Sequence, residues 1–283
     1  MPELPEVETI RRSLAPHLEG RRVTSVRVRN ADFRRPVDER AMARRVAGST
    51  IARLERRAKY LLAHLASGDV LLFHLGMSGR LSVVERAHRL DPHDHLLFRL
   101  APRAGRPAEE LRFRDPRRFG LALVLGRDEI AESPLLCPLG PEPLQAGAVD
   151  AAHLRARSRR RTGAIKAALL DARLVAGVGN IYACESLYIA RVDPRTPANR
   201  LGPARWERLL SAVREVLASA IAAGGTSLDD FGDYRDGERR QGLFQVYLNV
   251  YGREGEPCRR CGSVVRRIVQ AGRSTFFCAR CQR

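Results

Sequence analysis

Leu139-Gly140-Pro141-Glu142-Pro143-Leu144 divides this 283-residue chain into halves of different periodicity. Short and rich in residues that break both helices and strands, it reads as a linker. On its N-terminal side, after an opening helix, the pattern is β. Residues 22–29 alternate polar and apolar positions, and residues 60–65 and 70–75 flank the turn Ser67-Gly68-Asp69 as a hairpin. Residues 95–100, 111–113 and 121–125 continue in kind, which predicts a two-sheet antiparallel sandwich or barrel. On the C-terminal side the period becomes helical over 162–171, 181–190 and 206–223, the last ended by Gly224-Gly225. Residues 229–245 are polar, contain glycine and lack a period, and read as a mobile loop. The expected class is α+β and multidomain, with an N-terminal helix plus β-sandwich over 1–138, a helical domain over 145–246 and a small ribbon over 247–283.

The ribbon follows from cysteine spacing. Cys258-x2-Cys261 and Cys278-x2-Cys281 place two thiol pairs on tight knuckles, the spacing of a four-cysteine zinc site. Such a site leaves no open ligand position, so one structural Zn2+ is expected. Thiols used as metal ligands also indicate a reducing, cytoplasmic setting rather than disulfides. Residues 265–277 read as a two-stranded ribbon whose tip, Gln270-Ala271-Gly272-Arg273-Ser274-Thr275, presents an arginine. Cys137 and Cys184 stand alone and are expected to be small buried side chains.

Charge narrows the partner. Fifty Lys plus Arg against 32 Asp plus Glu leave a net charge of +18, which implies a polyanion, nucleic acid first. Lysine occurs only at Lys59 and Lys166. In a chain that uses arginine for bulk charge, these two are candidates for work that arginine, always protonated, does poorly. No segment approaches 18 uninterrupted apolar residues, and Glu3, Glu6 and Glu8 are unlike the start of a signal peptide.

The first eight residues, Met1-Pro2-Glu3-Leu4-Pro5-Glu6-Val7-Glu8, have two compatible readings. One is a helix start with Val7, Ile10, Leu14 and Leu18 on one face. The other is chemical: removal of Met1 leaves a terminal proline, a secondary amine able to attack an electrophilic sugar carbon, with the Glu3 carboxyl beside it for proton transfer. Gly177-Val178-Gly179-Asn180 before a helix reads either as an interhelical turn or as backbone amides that hold a phosphate. In Asp115-Pro116-Arg117-Arg118-Phe119-Gly120 and His74-Leu75-Gly76-Met77-Ser78-Gly79, an aromatic and a methionine sit in turns. They are core residues or wedges between base steps.

Together these stretches resemble the formamidopyrimidine-DNA glycosylase family along nearly the whole chain. The match runs in order through PELPEVE, RRAKYLL (56–62), HLGMSG (74–79), HDH (93–95), DPRRFG (115–120), LGPEPL (139–144), GVGNIYA (177–183), GGTSL (224–228) and the cysteine ribbon. The resemblance implies a helix–two-turn–helix element in the helical domain, and an enzyme that flips oxidised purines out of duplex DNA and excises them. It would then cleave the strand by β,δ-elimination as an apurinic/apyrimidinic lyase. By position, Pro2 is implied as the nucleophile, Glu3 as the acid assisting glycosidic cleavage and ring opening, Lys59 as the residue of proton transfer in the first elimination and of phosphate contact, and Arg273 as the residue of the second elimination. Met77, Arg117 and Phe119 are implied to fill the gap in the duplex. His93, Arg160, Lys166 and Asn180 are implied to contact phosphates. Two departures stand out: Arg160 occupies a position where lysine is expected, and the 229–245 loop is a few residues longer than usual.

Two rival readings differ in their residues. The endonuclease VIII type, which acts on oxidised pyrimidines, typically begins PEGPE and carries different wedge residues. A catalytically silent DNA-binding relative would keep the ribbon and the charge but need not keep Pro2, Glu3, Lys59 and Arg273. The expected partner is damaged double-stranded DNA, with no membrane, and the expected state is a monomer.

Overall fold

The computed structural model describes residues 2–105, 107–226 and 243–283. Met1 and most of the 229–245 loop lie outside them. The described chain clusters into two units, one of Pro2 with residues 6–137, the other of residues 3–5, 138–226 and 243–283.

In the first unit α1 (Leu4–Leu18) is followed by β1 (Val23–Val28), a short α2 (Glu39–Ala41) running into a π-turn at Met42–Val46, and strands β2 (Ile51–Arg57), β3 (Tyr60–Leu65), β4 (Val70–His74), β5 (Arg80–Glu85), β6 (Asp94–Leu100), β7 (Glu109–Arg114) and β8 (Leu121–Leu125). The unit closes with α3 (Glu129–Glu132). Two antiparallel four-stranded sheets form, in the orders β1-β6-β7-β5 and β2-β3-β4-β8. The hairpin expected around Gly68 is present, β3 pairing with β4 from Tyr60↔His74 to His64↔Val70.

Val7, Ile10, Leu14 and Leu18 of α1 are buried together with Leu61, Ala63, Phe73, Leu96, Phe98, Leu111 and Phe113, so one helix face and the inner faces of both sheets share a core. Phe73 meets Phe98 edge-on at 5.8 Å between ring centroids. The other face of the second sheet is covered as well: Leu62, Val70, Leu72 and Leu121 pack with Ile130, Leu135 and Leu136. That double burial explains why β4 is apolar along its length rather than alternating. β2 and β5 carry charges at half-exposed positions, which obscures them as strands in the sequence. One turn into α1, Glu8 receives Arg11 and Arg12 at 2.8 Å and Arg56 at 3.5 Å. Burial alone would raise its pKa, but these guanidiniums outweigh it and hold the carboxyl below the usual range.

The second unit contains α4 (Ala151–Ser158), α5 (Ile165–Leu170), α6 (Asn180–Ile189), α7 (Pro203–Ala222) and the ribbon β9 (Arg266–Gln270) and β10 (Arg273–Phe277). α5 begins later than its sequence pattern suggests, because Ala164 is extended and bridges Pro197. A turn closed by Leu174 N–H on Asp171 O, then a bend through Gly177, joins α5 to α6. α7 ends as expected, Gly225 N–H returning to Ala220 O. The ribbon shares a core with the helices: Cys184 and Tyr188 of α6 pack against Val250, Cys258, Val265 and Cys278. Its approach is fixed by Glu185, a buried carboxylate that accepts the backbone N–H groups of Asn249, Val250 and Tyr251 and the Asn249 amide. Four donors on one carboxylate offset the cost of burying its charge. Cys184 is buried as expected, whereas Cys137 is exposed, since it follows the short α3 in a surface turn.

Phe98 is fully buried between the sheets. Phe98→Ala should lower the unfolding free energy by about 3–5 kcal/mol in urea denaturation, and a loss below about 1 kcal/mol would contradict this core.

Candidate active site and metal centre

The N-terminal residues 3–5 belong to the second unit. Leu4 N–H donates to Gly177 O, and the Ile181 N–H at the start of α6 donates to Glu3 Oε1, both at 3.2 Å. The glycines make this possible. Gly177 is left-handed (φ +81°), and a Cβ there would meet the Leu4 side chain at 2.6 Å; a Cβ on Gly179 would lie 2.0 Å from the Glu3 carboxyl carbon. The glycines therefore leave room for the Glu3 carboxyl group at the start of α6, where it accepts the Ile181 N–H.

Around that end lie three more candidate residues. Lys166 on α5 is 1% exposed and donates from Nζ to Ser274 O (2.9 Å) and Thr275 Oγ1 (2.6 Å). Asn180 Nδ2 donates to the same Ser274 carbonyl at 3.0 Å. Both hold β10 one residue beyond Arg273, whose side chain is exposed. Burial pushes the Lys166 ammonium below the ordinary lysine range, the charge of Arg273 adding to the effect while Cys184 and Glu3 oppose it. The buried ammonium finds its acceptors on β10. Tyr251, which no sequence signal pointed to, joins this group: it packs edge-on against Phe276 at 5.0 Å, and burial raises its hydroxyl pKa. Arg160 is exposed, just past α4.

In the first unit, Lys59 stands in the β2–β3 turn after Ala58, a left-handed residue (φ +53°). Its charge acts on His74, whose pKa falls to about 4 mainly through burial. The neutral His74 ring accepts the Gly76 N–H on Nδ1 at 3.0 Å and so shapes the turn that carries Met77. That turn packs backbone to backbone on the next one: a Cβ at Gly76 would fall 2.4 Å from the Phe119 carbonyl carbon.

Asp115 ties the two turns together. Fully buried, it accepts Ser78 Oγ–H at 2.6 Å and Gly120 N–H at 2.7 Å, while Ser78 Oγ in turn accepts the Arg117 N–H. Its own carbonyl is bonded to His95 Nε2 at 3.0 Å, and its N–H reaches His93 O. Met77 and Phe119 emerge 36% and 47% exposed, with the Arg117 guanidinium 5.0 Å from the Phe119 ring centre. The ordinary reading of these two as core residues is therefore overturned. His93 is exposed beside them, its ring 6.0 Å from that of His95. Pro2 is buried.

The four cysteine sulfurs lie within 4.8 Å of one another, with Cys258–Cys281 at 3.9 Å and Cys261–Cys278 at 3.6 Å. A tetrahedral centre with Zn–S bonds of about 2.3 Å needs sulfurs about 3.8 Å apart, so the donor set fits one closed zinc site.

Comparison with known proteins agrees with this anatomy. Residues 1–122 match the family described as Formamidopyrimidine-DNA glycosylase N-terminal domain, 139–231 the Formamidopyrimidine-DNA glycosylase H2TH domain, and 255–283 the zinc finger found in FPG and IleRS. The formamidopyrimidine-DNA glycosylases of a Bradyrhizobium species and of Acidithiobacillus ferrooxidans are 46% and 47% identical, each covering 100% of both chains. The crystal structure of the MutM (Fpg) protein of Thermus thermophilus superposes with a TM-score of 0.87 at 42% identity, covering 99% of this chain and 98% of the other. A Lactococcus lactis Fpg mutant complexed with Fapy-dG-containing DNA gives 0.89 at 33% identity, with 99% coverage of both.

Two outcomes test this geometry. Gly179→Ala should unseat Glu3, so the Ile181 amide should exchange with deuterium about tenfold faster; unchanged protection would sink the anchor. Zinc removal should unfold the ribbon while the far-ultraviolet signature of the sandwich persists, and an intact ribbon after verified metal loss would refute a structural metal.

Proposed function

The chain belongs to the formamidopyrimidine-DNA glycosylase family, and from that premise we propose that it excises oxidised purines from duplex DNA and cleaves the strand at the vacated sugar. The observation that carries the reading is the seat of Glu3, which fixes a carboxyl group one peptide from the Pro2 amine.

The terminal amine of Pro2, free once Met1 is removed, attacks C1′ of the damaged nucleotide. The C–N glycosidic bond breaks, its electron pair leaves with the base, and Glu3 supplies a proton for departure and ring opening. The resulting iminium acidifies C2′, and successive eliminations expel the 3′ and then the 5′ phosphate. Each elimination removes a proton from the sugar and expels the phosphate with the electron pair of its C–O bond; Lys59 serves proton transfer in the first and contacts phosphate, and Arg273 serves the second. A helix N-terminus next to the amine disfavours its protonated form, which keeps it nucleophilic.

Flipping a base costs a few kcal/mol of unstacking. Met77, Phe119 and Arg117, emerging from turns locked by Asp115, fill the space the base leaves. His93 and Arg160 contact phosphates, and Lys166 and Asn180 hold the strand that carries Arg273. Zinc, held by Cys258, Cys261, Cys278 and Cys281, rigidifies the ribbon and takes no part in bond breaking.

The Lactococcus lactis enzyme is described in complexes with Fapy-dG DNA, with abasic-site DNA and with DNA containing an oxidised pyrimidine, so the purine assignment for this chain rests on its family and on the Fapy-dG complex. No helix among the described residues is long and apolar enough to cross a membrane. We place the protein in the cytoplasm, as a monomer acting on chromosomal DNA.

Borohydride added to the protein with a duplex bearing 8-oxoguanine opposite cytosine should trap a covalent adduct at Pro2. Pro2→Gly should still bind that duplex but lose most excision. An adduct mapping elsewhere, or wild-type turnover by the variant, would overturn the assignment.

A further inference from the structure

In the second unit, Arg191, Arg205, Arg208, Arg260, Arg280 and Arg283 line one concavity of about 560 Å³. Its remaining lining residues are Cys261 and Cys281, so no carboxylate side chain lines it. Asp193, which feels the charge of Arg205, is already closed in a two-pronged pair with Arg195. Arg205 donates to the Arg283 carbonyl, which gathers α7 and the end of the described chain around the pocket.

The arrangement opposes local preferences. Arg205 and Arg208 sit near the N-terminus of a 20-residue helix whose first turn has no acid and whose Gly202 cap offers no side chain. That end carries about half a positive charge, which disfavours a cation in the first turn, where Arg205 lies. Arg191 holds a left-handed backbone (φ +56°) just beyond α6, where glycine would avoid the strain. A Zn2+ with four thiolates is formally −2 and accounts for part of the charge, yet six guanidiniums exceed it.

The pocket is distinct from the end of the unit that bears Glu3 and Arg273. Asn180 opens α6 and Arg191 follows its last turn, so about 15 Å separates the two ends of this ten-residue helix. The volume matches a small ligand rather than the convex surface of a duplex. Arg260 already covers the Tyr188 ring at 4.6 Å, and no aromatic lines the pocket, so nothing there stacks a base. Guanidinium forks suit phosphate oxygens.

We propose that this pocket is a second anion site that binds a compact, multiply charged phosphate group such as a free oligophosphate, separate from the lesion site. Zinc-loaded full-length protein titrated calorimetrically with inorganic tripolyphosphate should show saturable one-site binding. The Arg208→Gln/Arg280→Gln double variant should weaken it about tenfold or more, with zinc content and borohydride trapping unchanged. Arg208→Gln alone, on α7 and away from the cysteine knuckles, should weaken it in the same direction.

A second arm measures affinity for an undamaged duplex. If the double variant binds the duplex normally, the source is free oligophosphate. A matching loss assigns the pocket to backbone phosphates of DNA, the same chemistry from another source. Tripolyphosphate binding unaltered in both variants, with duplex affinity also unaltered, would overturn the site. So would zinc loss in the double variant with normal binding by Arg208→Gln, since the arginines would then serve only the thiolates.

Discussion

The seat of Glu3 on the first amides of α6 is the constraint from which the catalytic end of this protein is built. A helix N-terminus offers unpaired N–H groups and a positive potential, and the chain fills it with a carboxylate from its own third residue. Gly177 and Gly179 lack side chains because the N-terminal segment occupies their space. The same helix end carries Asn180, which with Lys166 pins the Ser274 carbonyl and thereby the strand of Arg273. Pro2 is thus attached to a residue held by its carboxyl group, with the next backbone N–H bonded as well.

In the first unit a single buried acid plays a comparable part. Asp115 organises two turns, each linking one sheet to the other, and Met77, Arg117 and Phe119 emerge from them exposed. Exposed apolar side chains are a stability liability, and here they stand on turns whose backbone contact at Gly76 leaves no room to collapse inward. Stiffness of that kind suits a wedge, because the energy of insertion is then not spent on ordering the side chain.

Much of this is legible in the sequence because the signals are local. The hairpin around Gly68, the end of α7 at Gly224-Gly225 and the cysteine knuckles each depend on residues a few positions apart. β2 and β5 are obscured because charged side chains at half-exposed positions blur a period of two. Cys137 departs from its expected burial because the environment of a lone small residue depends on what packs over it, which spacing does not encode.

By itself, the sequence determined the change from β to helical periodicity, the four-thiol metal site, the polyanionic partner implied by +18, and the order of motifs that mark the family. Only the tertiary structure decided that the start of α6 receives the Glu3 carboxyl group, that Lys166 is buried against β10, and that Met77 and Phe119 face solvent. The reason is physical. Spacing along the chain fixes which groups are available, whereas burial, and with it the partner each charge must find, is set by segments more than a hundred residues apart, as with Lys166 and Thr275.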